Sequence, residues 1–238
     1  MNPDREATYR VALIDSTECA PRVRIFRFER PEAYDFAAGQ FFALSLETAD
    51  GPQAHYFSFA AAPGDAWIEV GTRMTGSAFK NALGALSPGD GVTISPPKGR
   101  LGASADAADV AFLVGGIGIT PARSIMRDAD QRGTGLRVAL FYGNRDESCI
   151  PYRSELLEMS TRRPEVTVVN VLSEPAADWK GERGFIDAQL VRRYIEPDDD
   201  WQFIVAGPPP MIEPMKSVLD ALGVSGQQRS IEVFSGYT

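Results

Sequence analysis

The chain has 238 residues, room for one or two domains at about 150 residues each. With 44% hydrophobic and 24% charged residues it has a globular composition, which excludes a disordered or collagen-like chain. A net charge of −8 argues against nucleic acid as a partner, and no apolar run reaches the roughly 18 residues of a membrane span. The rare residues exclude more. Cys19, His55 and Cys149 are the only Cys and His present, too few for an iron-sulfur cluster or a structural zinc site. No G-x-S-x-G elbow occurs, so Ser-His-Asp hydrolase chemistry is not expected. The polar start, Met1 to Arg10, lacks a signal-peptide core; the expected compartment is the cytoplasm, with both cysteines reduced.

In chain order, Tyr9 to Ile14, Val23 to Phe28, Gln40 to Leu46, Tyr56 to Ala60, Trp67 to Thr72 and Gly91 to Ser95 read as strands separated by turn residues. Six such strands predict a six-stranded antiparallel Greek-key β-barrel, interrupted by one helix at Ser77 to Leu86. Beyond Leu101 the rhythm changes. Strands Val110 to Val114, Val138 to Tyr142, Val166 to Val171 and Phe203 to Ala206 alternate with helices at Pro121 to Gln131, Tyr152 to Met159, Ile186 to Tyr194 and Pro210 to Leu222. This alternation predicts a C-terminal α/β domain with a parallel sheet. The join is expected at Gly102 to Ala105, giving domains 1–103 and 104–238.

The sharpest local feature is the strand Val110 to Val114 running into Gly115-Gly116-Ile117-Gly118-Ile119-Thr120-Pro121. Glycines let a ligand approach the backbone, and Thr120 with Pro121 suits the N-cap and first position of a helix. Ala122, Ile125, Met126 and Ala129 then follow the spacing of a buried face. Such a helix start offers free amides to an anion, although a turn of this kind also serves packing alone. A Rossmann fingerprint would need an acid closing the next strand, where Arg145 stands instead. A second turn, Gly207-Pro208-Pro209-Pro210-Met211, repeats the design, and Met211, Met215, Val218, Leu219 and Leu222 form its core-facing stripe. Two such turns at the carboxyl ends of parallel strands build one crevice.

Taken together, G-G-x-G-I-T-P, G-P-P-x-M and a terminal E-x-F, preceded by a barrel with an aromatic-Ser strand, resemble the ferredoxin-NADP reductase family over nearly the whole chain. The resemblance implies a flavin-binding barrel and an NAD(P)H-binding second domain. Against the family's R-x-Y-S strand stand His55, Tyr56, Phe57 and Ser58, followed by Phe59. Ser58 then faces flavin N5, Phe57 packs on the ring without the usual phenol, and His55 replaces the arginine fork that pairs with pyrophosphate. The expected substitute is the segment from Arg73 through Gly76, Ser77, Ala78 and Phe79 to Lys80, with Val70 and Thr72 on the preceding strand also among the flavin contacts. A pyrophosphate cradle implies non-covalent FAD.

Gly116, Ile117, Gly118 and Thr120 match the family's nicotinamide turn, while Gly207, Pro208 and Met211 match the second, with Ala206 where the family usually has Cys; slower hydride transfer is expected from that loss. Glu232 is expected near Ser58, managing the N5 proton, and Phe234, or Tyr237 beyond it, covers the flavin. Asn144, Arg145 and Ser173 are expected around the nucleotide. Glu174, where NADP-binding relatives tend to place Arg, points to NADH, with Arg145 keeping NADPH open. The implied function is hydride transfer from NAD(P)H to FAD and passage of electrons to a separate carrier, ferredoxin or flavodoxin, docked near Arg22, Arg24, Arg27, Arg73, Lys98 or Arg100. Two alternatives are a flavin reductase or oxygenase reductase component, and a non-enzymatic flavin-binding protein. The expected state is a monomer.

Overall fold

A computed structural model describes residues 8–99, 101, 109–197 and 201–234. The turn-punctuated first part forms one antiparallel sheet of β1 (Tyr9–Ala20), β2 (Val23–Glu29), β3 (Phe41–Thr48), β4 (Gly51–Ser58), β5 (Trp67–Arg73) and β6 (Gly91–Ile94), in the order β4-β3-β6-β1-β2-β5. Strand alternation buries Val11, Leu13, Phe26, Phe28, Phe42, Leu44, Ile68 and Val70 in one cluster with Phe79 and Leu83 of α1 (Ala78–Gly84). Two strands differ from expectation. β1 runs six residues past Ile14, with bulges against β2, and so includes Cys19. β4 begins at Gly51 and ends at Ser58, because Pro52 and the polar residues after it continue the hairpin with β3. α1 is shorter than Ser77 to Leu86: Ser77 caps it, accepting from the Lys80 amide at 3.3 Å.

The second part forms a parallel sheet of β7 (Asp109–Gly115), β8 (Arg137–Asn144), β9 (Val166–Leu172), β10 (Glu182–Arg183), β11 (Trp201–Gly207) and β12 (Arg229–Val233), in the order β10-β9-β8-β7-β11-β12. Helices α2 (Ile119–Gln131), α3 (Arg153–Arg162), α4 (Ala188–Tyr194) and α5 (Pro209–Leu222) cover it, with an apolar cluster on each face. The two-residue β10 carries too little pattern to be foreseen. The strand order reverses beside β7, whose neighbours are β8 and β11, so the turns leaving β7 and β11 flank the crevice such a switch creates. The expected join at Gly102 to Ala105 lies outside the described residues. Among the described residues no helix is long and apolar enough to cross a membrane.

Candidate functional site

A cavity of about 440 Å³ opens between the domains, within the range of roughly 300–1,000 Å³ typical of small-molecule and cofactor sites. Phe41, Tyr56, Ser58, Thr72, Arg73 and Lys80 line its barrel side, while Ile117, Thr120, Glu232 and Phe234 line the other. At the end of β4, the Ser58 hydroxyl donates to Glu232 Oε1 at 2.6 Å, joining residues 174 positions apart. Burial pushes the Glu232 carboxyl up, and the Ser58 hydrogen bond partly opposes this. Its second oxygen, Oε2, is buried without a hydrogen-bond partner among the described residues.

Lys80, expected as part of the phosphate cradle, lies in the cavity wall. Its ammonium belongs to a side chain only 7% exposed, donates to Thr72 Oγ1 at 2.5 Å and lies 4.5 Å from the Phe57 ring centre. Among the described residues no carboxylate pairs with it, and burial lowers its pKa to about 8. A buried cation without an acid, beside aromatic walls, suits an anionic ligand with a planar ring, which is what a flavin nucleotide presents. The residues present therefore fit the group that the resemblance implies.

Several expected contacts are corrected. His55 does not line the cavity: its ring lies 4.3 Å from that of Phe79, and burial together with the Lys80 charge lowers its pKa. The Phe59, Val70 and Phe79 side chains are fully buried in the barrel core and do not line the cavity. Phe57, 7% exposed, and Tyr56, 63% exposed, both line the cavity. The alternation of β4 puts the two rings on opposite faces. Ser77 and Gly76 are exposed and Ala78 half-buried at the start of α1, where Gly76 adopts a φ of +86°. Tyr237 lies outside the described residues.

In the second domain, Gly116 has φ +52°, which favours glycine, and its carbonyl accepts from the Tyr142 hydroxyl at 2.8 Å. Thr120 and Pro121 are not cap and first residue: a 3-10 turn over Gly116–Gly118 leads directly into α2 at Ile119. A Cβ on Gly118 would stand 2.3 Å from the Ala206 carbonyl oxygen, so the turns after β7 and β11 touch through glycine. The Phe234 amide donates to Gly207 O at 2.9 Å, and Met211 Sδ lies against Gly115 and Gly207, with Pro208 half-buried beside them. Ala206 is fully buried. The Ser173 and Glu174 amides donate to the carbonyls of Asn144 and Arg145, gathering these residues at one sheet end. Asn144 Nδ2 is buried there without a partner among the described residues, while Arg145 pairs with the adjacent Asp146 at 3.0 Å.

Sequence reading missed Phe185, which is 81% exposed and lies one residue beyond Gly184, whose amide bonds to Leu172 O beside Ser173. It also missed Arg123, Glu69 and Tyr152, whose polar contacts span the domains and leave no local signal. Of the suspected docking cations, Arg27 is held by Glu69 at 2.8 Å, whereas Arg22 and Arg24 donate to the carbonyls of Met74 and Gly84. Arg73 lines the cavity together with Lys98, and Arg100 lies outside the described residues.

The family model for the oxidoreductase NAD-binding domain matches residues 112–232. The chain is 30% identical over 193 residues to ferredoxin–NADP reductase B of Sorangium cellulosum, covering 79% of each. It is 29% identical over 212 residues to DmpP, the reductase component of phenol 2-monooxygenase from a Pseudomonas species, covering 86% of this chain and 59% of that one. A ferredoxin NADP+ reductase structure from Neisseria gonorrhoeae, with bound FAD and NADP, superposes with a TM-score of 0.82 at 20% identity, covering 95% of this chain and 98% of that one. The chain spans less than two thirds of several curated relatives. One is a component of the Na(+)-translocating NADH-quinone reductase of Idiomarina loihiensis, 32% identical over 158 residues, which are 64% of this chain and 39% of that one. With its barrel, its parallel domain and the glycine turns between them, the chain belongs to the oxidoreductase NAD-binding domain family and to the ferredoxin-NADP reductase family of FAD- and NAD(P)H-binding reductases.

Proposed function

We propose that the protein binds FAD in the cavity, takes a hydride from NADH and passes electrons to a separate protein acceptor. The observation that carries this reading is the 2.6 Å Ser58–Glu232 pair in a cavity whose other walls are the nicotinamide turn and a buried cation. When bound, the cofactors supply the hydride chemistry, from nicotinamide C4 to flavin N5. The protein supplies alignment and charge. Phe41 and Tyr56 offer flat apolar walls; Lys80, backed by Arg73, faces the phosphates in place of the missing arginine. Ser58 presents its hydroxyl at this wall, and Glu232, protonated more readily than an ordinary carboxyl, holds the proton behind it. Phe234 covers the space that nicotinamide enters. In the second domain, Ile117 and Thr120 orient the nicotinamide end, while Asn144, Ser173 and the exposed ring of Phe185 hold the nucleotide end.

Exposed Glu174 disfavours a 2′-phosphate, and Arg145 is occupied by Asp146, which supports NADH. The kinship with an oxygenase reductase component and with a ferredoxin reductase supports a protein acceptor, and Arg22, Arg24 and Arg73 offer it a basic rim. Cytochrome c reduction that requires added ferredoxin or flavodoxin is the expected result. Equal rates with free FMN alone would instead identify a flavin reductase.

A further inference from the structure

We propose that Arg123 is a positioning residue: at the centre of a chain of six alternating charges, it fixes the nicotinamide turn of the second domain against the flavin strand of the barrel. The proposal rests on the reading above that the cavity holds both cofactors.

The chain runs Arg27, Glu69, Arg123, Glu155, Arg127, Asp65, with successive contacts of 2.8, 2.7, 2.8, 2.9 and 2.8 Å. Three cations and three anions leave it neutral. It crosses the domain boundary twice, from Glu69 of β5 to Arg123 of α2, and from Arg127 of α2 to Asp65 just before β5. Backbone contacts reinforce both crossings: Arg123 donates to Ala60 O and Ser124 to Ala61 O, each at 2.6 Å. Tyr152 donates to Glu69 Oε1 at 3.1 Å, and the Arg123 guanidinium lies 4.2 Å from its ring centre. Tyr152 holds a φ of +57°, a conformation that a non-glycine residue keeps only where its surroundings impose it.

Burying charge is a poor way to gain stability, since an apolar contact of the same shape holds two surfaces at lower cost. What a guanidinium fork adds is direction: each of its hydrogen bonds has one geometry, whereas apolar faces slide. Glu69 is 0% exposed, Ser124 0% and Arg123 4%, so water does not soften this geometry. The location gives it a use. Ala60 and Ala61 follow Ser58 by two and three residues, and Arg123 follows Thr120 by about one helical turn. Ser58 and Thr120 both line the cavity. At Gly71, two residues beyond Glu69, a Cβ would stand 2.5 Å from Ile117 Cδ1, so β5 and the nicotinamide turn are held in direct contact. Arg123, Ser124 and their barrel partners Ala60, Ala61 and Glu69 thus lie within a few residues of lining positions on both cavity walls.

The test uses FAD-loaded wild type, Arg123→Lys, the nearly isosteric Glu69→Gln, and Arg162→Gln, which breaks only an exposed pair with Asp130. Arg123→Lys and Glu69→Gln are expected to keep FAD and a KM for NADH within about twofold of wild type. Their kcat for flavin reduction should fall about 10- to 100-fold, with weakened long-wavelength absorbance from nicotinamide stacked on flavin. In flavin-free protein, amide exchange should rise at residues 60–65 and 119–127 together, and Arg162→Gln should change neither readout. An unchanged kcat per bound flavin in folded Glu69→Gln overturns the proposal, even if Arg123→Lys fails to fold, as does loss of stability with unchanged kcat per flavin. If wild type takes up no FAD or is not reduced, the functional reading fails instead, and unchanged exchange in Glu69→Gln still overturns the clamp.

Discussion

Ser58 and Glu232 are the pair on which the proposed chemistry rests. Both were legible in the sequence, because Ser58 closes and Glu232 opens a short motif whose order along the chain was already informative. Their 2.6 Å contact was not, since it joins strands from different domains. Burial raises the Glu232 carboxyl above its ordinary 4.5, so the folded chain holds this proton more tightly than the unfolded chain. The associated stability is full below the unfolded value and is lost as pH rises through the folded one. Melting curves from about pH 4 to about pH 8 should therefore show wild type losing stability relative to Glu232→Gln as pH rises; parallel profiles would contradict this. Glu174 belongs to the same scale. Glu174→Arg should raise the NADPH:NADH ratio of kcat/KM about tenfold through a charge-assisted contact, and an unchanged ratio would show that this loop does not read the 2′-phosphate. His55 shows where residue-level reading stops: it occupies the arginine position, yet packs on Phe79, and the buried cation is Lys80.

At the scale of elements, α2 joins the two halves. Its apolar stripe, Ala122, Ile125, Met126 and Ala129, was legible from spacing and is buried. Its polar stripe of Arg123, Ser124 and Arg127 reads as a solvated face in any single helix, and only the barrel's presence turns it inward. Helix starts are similarly underdetermined: Thr120-Pro121 has good cap chemistry, but the glycines before it already coil, so α2 begins at Ile119. The close approach at Gly118 follows from this geometry. Gly118→Ala should cost about 1–3 kcal/mol through displacement of the β11 turn; a urea midpoint equal to that of wild type would show that the turns can part without cost.

For the whole molecule, the change from punctuated strands to strand-helix alternation announced two domains, and both sheets formed as expected. What one dimension could not show is how they meet, because the polar contacts that join them pair residues from 54 to 174 positions apart. Their meeting creates the cavity, and what the cavity holds decides the function. Anaerobic titration of FAD-reconstituted protein with NADH, followed by the flavin's visible absorbance, reads this out in a single experiment. Complete bleaching at about one equivalent of NADH per flavin is expected; a protein that retains no FAD, or whose absorbance is unchanged by both NADH and NADPH, would contradict the assignment.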